Sequence, residues 1–244
     1  MELKSSTALV TGGGHRVGKA IVLALAEAGM NIALHFHSSS EEAEATASEA
    51  RELGAEVVLV KGDLSKPEAA EEVVSDASAA GPVHVLINSA AGFGEGGLRD
   101  LDVEKFERSL ALNLMAPVLL MRAFARSLPD DEQGAIINIT DWKVDRPYMS
   151  PPRFAYTVSK GALITATRVA AIELAPSIRV NAVALGVILP PPDEGPEYAE
   201  KLGSRLPLKR VGGTGPVTEA VLMLARNDFV TGEVIRIDGG AHLA

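Results

Sequence analysis

Short apolar runs and longer segments of helical period alternate along the whole chain. Seven runs read as strands: 7–12 (TALVTG), 31–36 (NIALHF), 56–63 (EVVLVKGD), 83–90 (VHVLINSA), 135–140 (AIINIT), 178–184 (IRVNAVA) and 233–238 (EVIRID). Stretches with apolar residues three and four apart lie between them and predict helices over 17–28, 41–53, 67–80, 103–127, 154–174 and 217–226. Gly29 and Gly54 suit helix stops, Pro67 a first helical turn, and Pro176 a helix end. Such alternation predicts an α/β fold with about seven parallel strands, helices on both faces and right-handed crossovers. The strands are apolar on both sides, as strands covered by two helical layers must be. No internal repeat or linker divides residues 1–244, which reads as a single domain.

Composition narrows the chemistry. Of 244 residues, 47% are hydrophobic and 23% charged, a balance that suits a globular core. A net charge of −9 argues against nucleic acid or an anionic membrane surface as a partner, while allowing a locally basic pocket. Without cysteine there is no disulfide, thiol nucleophile or thiolate metal site, which is compatible with a cytoplasmic protein. MELKSSTALVTGG enters a strand-like run at once and lacks the apolar core of a secretion signal. No stretch reaches about 18 uninterrupted apolar residues, so no membrane span is expected. His15, His35, His84 and His242 have no metal-ligand spacing, so no metal is expected either.

The first strand runs into TGGGHRVGKA at 11–20, where Gly12, Gly14 and Gly18 bracket the turn into a helix. Glycine lets the backbone approach a pyrophosphate, and a helix N-terminus favours the anion. Placed between a strand and a helix, the cluster marks a doubly wound domain of the Rossmann type with a dinucleotide site. A tight turn without ligand is the plain alternative. An acid at the end of the second strand would hold the ribose 2′-hydroxyl of NAD, yet LHFHSSS offers none before Glu41. His37, Ser38 and Ser39, with Arg16 in the turn, suit a 2′-phosphate instead, which makes NADP(H) the expected cofactor. Solvated surface roles are the alternative for Arg16 and His37.

Tyr156 and Lys160 stand four apart at the opening of the long helix 154–174, and so share a face. With this pair the chain resembles the short-chain dehydrogenase/reductase family over essentially its whole length. TGGGHRVG, with Val17 inside it, is similar to the family's TGxxxGxG turn. Asp63-Leu64 in KGDLS matches the acid beside the adenine, and Asn88-Ser89-Ala90-Ala91-Gly92 resembles the NNAG segment, departing at Ser89 and Ala91. Asn113 in LNLMAP matches the active-site asparagine; Arg179-Val180-Asn181 resembles the sixth-strand segment, and Leu185-Gly186 stands where Pro-Gly is usual. The resemblance implies that Tyr156 protonates the reduced substrate, Lys160 holds the nicotinamide ribose, and Asn113 holds a relay water. It also implies cofactor contacts from Gly12, Gly14, Val17, Gly18, Asp63, Leu64, Asn88, Ala90, Gly186, Val187 and Ile188, and a homotetramer. An ammonium and a nicotinamide cation would lower the tyrosine pKa from about 10.

Most members of the family carry a serine at the end of the fifth strand, where this chain has Asp141. Thr140 precedes it, but strand alternation turns Thr140 to the opposite side. Ketone reduction develops negative charge on oxygen and needs donors aimed at it, which an ionised carboxylate is not. An acceptor suits a substrate with N–H groups, such as an aminopyrimidine ring, and Asp141 can also pair with the Tyr156 hydroxyl. Its charge raises the tyrosine pKa, against Lys160. A surface acid paired with Lys143 or Arg146 is the alternative.

Aspartate at this place is a feature of the pteridine reductases and the bacterial dihydromonapterin reductases. GHRVGKA, HFHSS, Asp141-Trp142 and IDGGAHL resemble their segments, and Phe93 matches an aromatic that sandwiches the pterin against the nicotinamide. Ala91 departs, standing where a serine is frequent, and loop packing is the alternative for Phe93. The resemblance implies an NADPH-dependent reductase that transfers hydride to a pteridine ring C=N, with Arg16, Phe93, Asp141 and Tyr156 at this small-molecule substrate. A carbonyl reductase, such as a 3-oxoacyl-thioester reductase, is the second reading. A non-catalytic NADPH-binding sensor is the third, against which intact Tyr156, Lys160 and Asn113 argue. The proline-rich segment 189–213 is a candidate lid.

Overall fold

The computed structural model describes residues 2–79, 81–190 and 195–244. Seven strands are found among them: β1 (Thr7–Thr11), β2 (Asn31–Phe36), β3 (Val57–Lys61), β4 (Val83–Asn88), β5 (Gly134–Asp141), β6 (Ile178–Leu185) and β7 (Val234–Ile237). They form one sheet in the order β3-β2-β1-β4-β5-β6-β7, every pairing parallel. The connecting helices are α1 (Arg16–Glu27), α2 (Ser40–Glu52), α3 (Ala69–Ala77), α4 (Val103–Leu110), α5 (Ala116–Ser127), α6 (Phe154–Glu173), α7 (Pro196–Gly203) and α8 (Gly215–Arg226). This is the Rossmann-type α/β fold that the sequence predicts.

Successive strand residues face opposite helical layers. Val10, Ile87 and Ile137 join Ile21, Leu25, Ala47, Val221 and Leu224 in the core under α1, α2 and α8. Leu9, Leu86 and Ile136 turn the other way, onto Val73, Leu120, Phe124 and Ala171 of α3, α5 and α6. A two-residue period with apolar partners on both sides accounts for the continuous apolar runs. Between β1 and β4 the strand order reverses, so the loops leaving their carboxyl ends diverge and open a crevice. The glycine turn, Asn88, Asp141 and Gly186 all leave the sheet at this edge.

Three predicted elements differ. The helix expected over 103–127 is interrupted by a π-helical turn at Ala111–Met115, between α4 and α5. Pro117 has no N–H to offer the carbonyl of Asn113, so the regular ladder fails there and the turn widens. The helix expected over 67–80 is shorter, Ala69–Ala77, with Pro67 ahead of it, and Ala80 lies outside the described residues. Inside the proline-rich segment 189–213 stands α7, which opens on Pro196, a favourable first helical position. Residues 191–194 of that candidate lid lie outside the described residues.

Val103–Ser127 is long and apolar enough to cross a membrane by length and composition. In this fold α5 packs Leu120, Met121 and Phe124 into the core and pairs Arg122 with Glu71 at 2.8 Å, while α4 has no fully buried residue.

Phe124 is fully buried, and its ring borders Gly134 of β5. Phe124→Ala should therefore cost about 3–5 kcal/mol of stability. Urea unfolding should show a lower midpoint at unchanged slope; an unchanged midpoint would contradict the packing described.

Candidate active site

The turn after β1 depends on two glycines. Gly12 has φ of 65°, and a Cβ on Gly18 would run into the carbonyl oxygen of Gly12. His35 of β2 supports the turn from beneath. The N–H of Gly12 donates to His35 Nδ1 at 3.3 Å, and Nε2 lies 3.1 Å from the carbonyl of Gly62. These partners assign the neutral tautomer with its proton on Nε2. Burial is the main cause that lowers the His35 pKa to about 4; the Gly62 hydrogen bond opposes it, and His37 adds to it.

A cleft of about 560 Å³ runs beside this turn, lined by Gly12, Gly14, His37, Ser38, Ser39, Asp63, Leu64 and Ala90 among others. The expected adenosine-side residues are thus brought together. The hydroxyl and N–H of Ser65 donate to Asp63 Oδ1 at 2.7 and 3.1 Å, fixing that carboxylate and lowering its pKa, the hydroxyl contributing most. Asn88 donates to Asn138 at 2.8 Å, while its buried Oδ1 has no hydrogen-bond partner among the described residues. Across the crevice, Gly186 lies so close to Asp238 that a Cβ would meet the Asp238 Cα. Val187 and Ile188 accept from the N–H groups of Gly212 and Gly213 at 2.9 and 3.0 Å. Val17 is half-buried against the core at the start of α1. Arg16 reaches the carbonyl of Pro190 at 2.9 Å, which ties it to the segment after β6 rather than to Ser38 and Ser39.

At the end of β5 the chain buries an acid. Asp141 is 7% exposed, and its Oδ2 accepts from the Tyr156 hydroxyl at 3.0 Å and the Tyr148 hydroxyl at 2.9 Å. Its Oδ1 accepts the backbone N–H of Lys143 at 2.7 Å, so the alternative of a surface acid paired with a Lys143 or Arg146 side chain is not what holds it. Thr140 faces away and donates to the carbonyl of Val183, as strand alternation requires.

Burial raises the Asp141 pKa, against hydrogen bonds from Lys143, Tyr148 and Tyr156 and the charge of Lys160. Tyr156 is pushed well above the ordinary phenol, first by burial and then by the charge of Asp141. Lys160 donates to the carbonyl of Ile139 at 2.7 Å, and burial lowers its pKa to about 8 against the pull of Asp141. Of the two opposed influences on Tyr156 that the sequence presents, the aspartate prevails in the protein alone.

Phe93 is half-exposed on the loop after β4, beside the tyrosines that hold Asp141. Its ring meets Tyr156 edge-on at 4.7 Å between centroids, and Tyr148 at 5.6 Å. The Arg153 guanidinium lies 3.7 Å from the Phe93 ring centroid and donates to the Phe93 carbonyl and to Glu95, at 2.9 and 2.8 Å. Backbone bonds from Gly96 to Pro152 and from Phe154 to Gly96 fasten this loop to the start of α6. Asn113 braces it from the π-helical turn, accepting from Gly92 N–H at 2.8 Å and donating to Gly92 O at 3.0 Å. Its amide also lies 3.2 Å from the hydroxyls of Ser109 and Ser159. Tyr148, Arg153 and His35 carry no role in the sequence reading. Tyr148 and Arg153 sit in a stretch without periodicity, and His35 reads as an interior position of an apolar strand.

Residues 14–242 match the family described as Enoyl-(acyl carrier protein) reductase. The chain belongs to the short-chain dehydrogenase/reductase family and is an oxidoreductase of that family. Among solved structures it is similar to FolM alternative dihydrofolate reductase 1 from Brucella canis, complexed with NADP. That chain is 38% identical with a TM-score of 0.92, the match covering 100% of this chain and 97% of that one. A blue fluorescent protein from a metagenomic library, in complex with NADPH, is 32% identical with a TM-score of 0.90, both chains covered in full. Among curated relatives, the 3-oxoacyl-[acyl-carrier-protein] reductase FabG of Staphylococcus epidermidis is 29% identical over 98% of this chain and 100% of its own length.

The His35 arrangement has a pH consequence. Below pH 6.5 the unfolded chain takes up a proton at His35 that the folded chain refuses until about pH 4. Stability therefore falls as pH falls through that window, by up to roughly 3 kcal/mol. The urea midpoint of the wild type should drop more steeply between pH 6.5 and 4 than that of His35→Gln; parallel drops would contradict the assignment.

Proposed function

We propose that this oxidoreductase reduces a dihydropteridine to a tetrahydropteridine, the bound NADPH supplying hydride to a ring C=N. The observation that carries this reading is Asp141, a buried acceptor joined to Tyr156 beside an aromatic wall. NADP(H) is the cofactor, in keeping with the NADP and NADPH complexes among the structural neighbours. The glycine turn fits a pyrophosphate, since Gly18 at the start of α1 packs directly on the Gly12 carbonyl with no room for a side chain, and among the described residues Asp63 is the one acid lining the crevice beside Ser38 and Ser39.

In this reading Gly12, Gly14, Val17 and Gly18 take the pyrophosphate, and His37, Ser38 and Ser39 the 2′-phosphate. Asp63 and Leu64 flank the adenine; Asn88, Ala90, Gly186, Val187 and Ile188 flank the nicotinamide end. Lys160 holds the ribose there, as its family counterpart does. Asp141 accepts from the N–H edge of the heterocycle, and Phe93 stacks on the ring. Tyr156 organises proton delivery jointly with Asp141, the two titrating as a coupled pair. Arg16, on the carbonyl of Pro190, reaches the crevice from the side of the substrate.

The names of the Staphylococcus FabG and of a granaticin polyketide synthase putative ketoacyl reductase favour a second reading, reduction of a 3-oxoacyl thioester. Against it stands the geometry of Tyr156, whose proton is already directed at Asp141. A ketone oxygen would have to win that proton from a carboxylate and lie beside the negative charge.

NADPH oxidation with a 7,8-dihydropteridine and with a 3-oxoacyl thioester, by wild type and Asp141→Ser, separates the two. Dihydropteridine turnover should fall about 100-fold in kcat/KM in the variant, the worth of one charged hydrogen bond of roughly 3 kcal/mol. Turnover of the thioester alone, undiminished by serine, would contradict the proposal.

A further inference from the structure

Tyr148 has no counterpart in the motifs that identify the family, yet its hydroxyl donates to the same oxygen of Asp141 that Tyr156 uses. A carboxylate offers about four acceptor positions. Two on Oδ2 are filled by phenols and one on Oδ1 by the Lys143 N–H, which leaves one, on Oδ1. Two hydroxyls donating to one oxygen favour the carboxylate, since both hydrogen bonds are stronger to a charged acceptor than to a neutral one. The Tyr148 ring is held in place, 5.6 Å from Phe93 and 6.3 Å from Tyr156 between centroids.

We propose that Tyr148 is a positioning residue that keeps Asp141 ionised, and so selects substrates presenting N–H groups over substrates presenting a carbonyl oxygen. The inference rests on the pteridine reading for its substrate class, and on the two phenols converging on Oδ2 for the role of Tyr148. Burial opposes ionisation of Asp141, and several groups act against that burial. From the segment after β5 come the Lys143 N–H and Tyr148; from α6 come Tyr156 and the Lys160 ammonium. Lys143 Nζ and Arg153 stand 5.4 and 5.8 Å from the Tyr148 ring centroid. Tyr148 itself is driven far above the ordinary phenol pKa by burial and by Asp141, so it remains a donor throughout the working range. Removing its hydroxyl takes away one donor to the charged form and leaves the burial, which moves the Asp141 pKa upward. Activity that needs the carboxylate is then lost at a higher pH than in the wild type.

Tyr148→Phe keeps the ring in the aromatic wall and removes only the donor. The experiment is a pH profile of kcat/KM for a 7,8-dihydropteridine with NADPH, beside a carbon-13 NMR titration of the labelled aspartate carboxyls with NADP⁺ bound. Asp141→Asn assigns the resonance. The acidic limb and the NMR midpoint of Asp141 should move up together by roughly one pH unit in Tyr148→Phe. A variant that merely loosens the loop would lower activity evenly across pH and leave both midpoints in place, and that result would overturn the inference. Should the wild type turn over no dihydropteridine, the substrate class fails, and the NMR midpoint alone then decides on Tyr148: an upward shift supports its role, an unmoved midpoint refutes it.

Discussion

The proposed chemistry turns on one buried oxygen, Oδ2 of Asp141, which accepts from two phenols at 2.9 and 3.0 Å. A carboxylate at the carboxyl end of a central strand is costly to bury, and stays ionised only where donors surround it. Lys143, Tyr148 and Tyr156 supply them, and the Lys160 ammonium adds its charge. The consequences spread outward. Tyr156 is a weaker acid than an ordinary phenol, and its proton is directed at Asp141 rather than at open space. In the proposed reaction a substrate meets an acceptor and a tyrosine that act as one unit, where the serine usual in the family would present a donor.

Around that unit the fold supplies rigidity from three directions. The loop carrying Phe93 is bound by backbone bonds to the start of α6, by Arg153 on its ring, and by Asn113 from the π-helical turn. On the cofactor side, His35 couples the glycine turn to the loop after β3 through one ring, accepting on one nitrogen and donating on the other. Arg16 spans from the same turn to the carbonyl of Pro190, so that the two rims of the crevice are joined by a side chain.

What the sequence made legible was whatever is local or periodic. Strand–helix alternation, the glycines at 12, 14 and 18, and Tyr156 with Lys160 one helical turn later are short-range patterns, and each lies where the pattern places it. Asp141 was legible as a substitution at the end of a strand, and alternation alone decided between it and Thr140. Tyr148 and Arg153 were not, because residues 145–153 have no period that says which way a side chain points. The π-helical turn was hidden because it keeps an almost helical spacing, Pro117 being its one trace. Proline content concealed α7, which uses Pro196 as a helix start rather than a break. Arg16 was legible as a cation in the turn, but its reach to Pro190 depends on a contact 174 residues away.

The central claim is that Asp141 receives a substrate N–H. Its most direct test is the affinity of the NADP⁺-loaded protein for a 2-amino-4-oxopteridine and for the same ring without its 2-amino group, measured with wild type and with Asp141→Ala. The account predicts that the wild type prefers the amino compound by about tenfold or more, some 1.4 kcal/mol, and that the preference vanishes in the alanine variant. Equal affinities in the wild type, or a preference that survives the loss of the carboxylate, would contradict it.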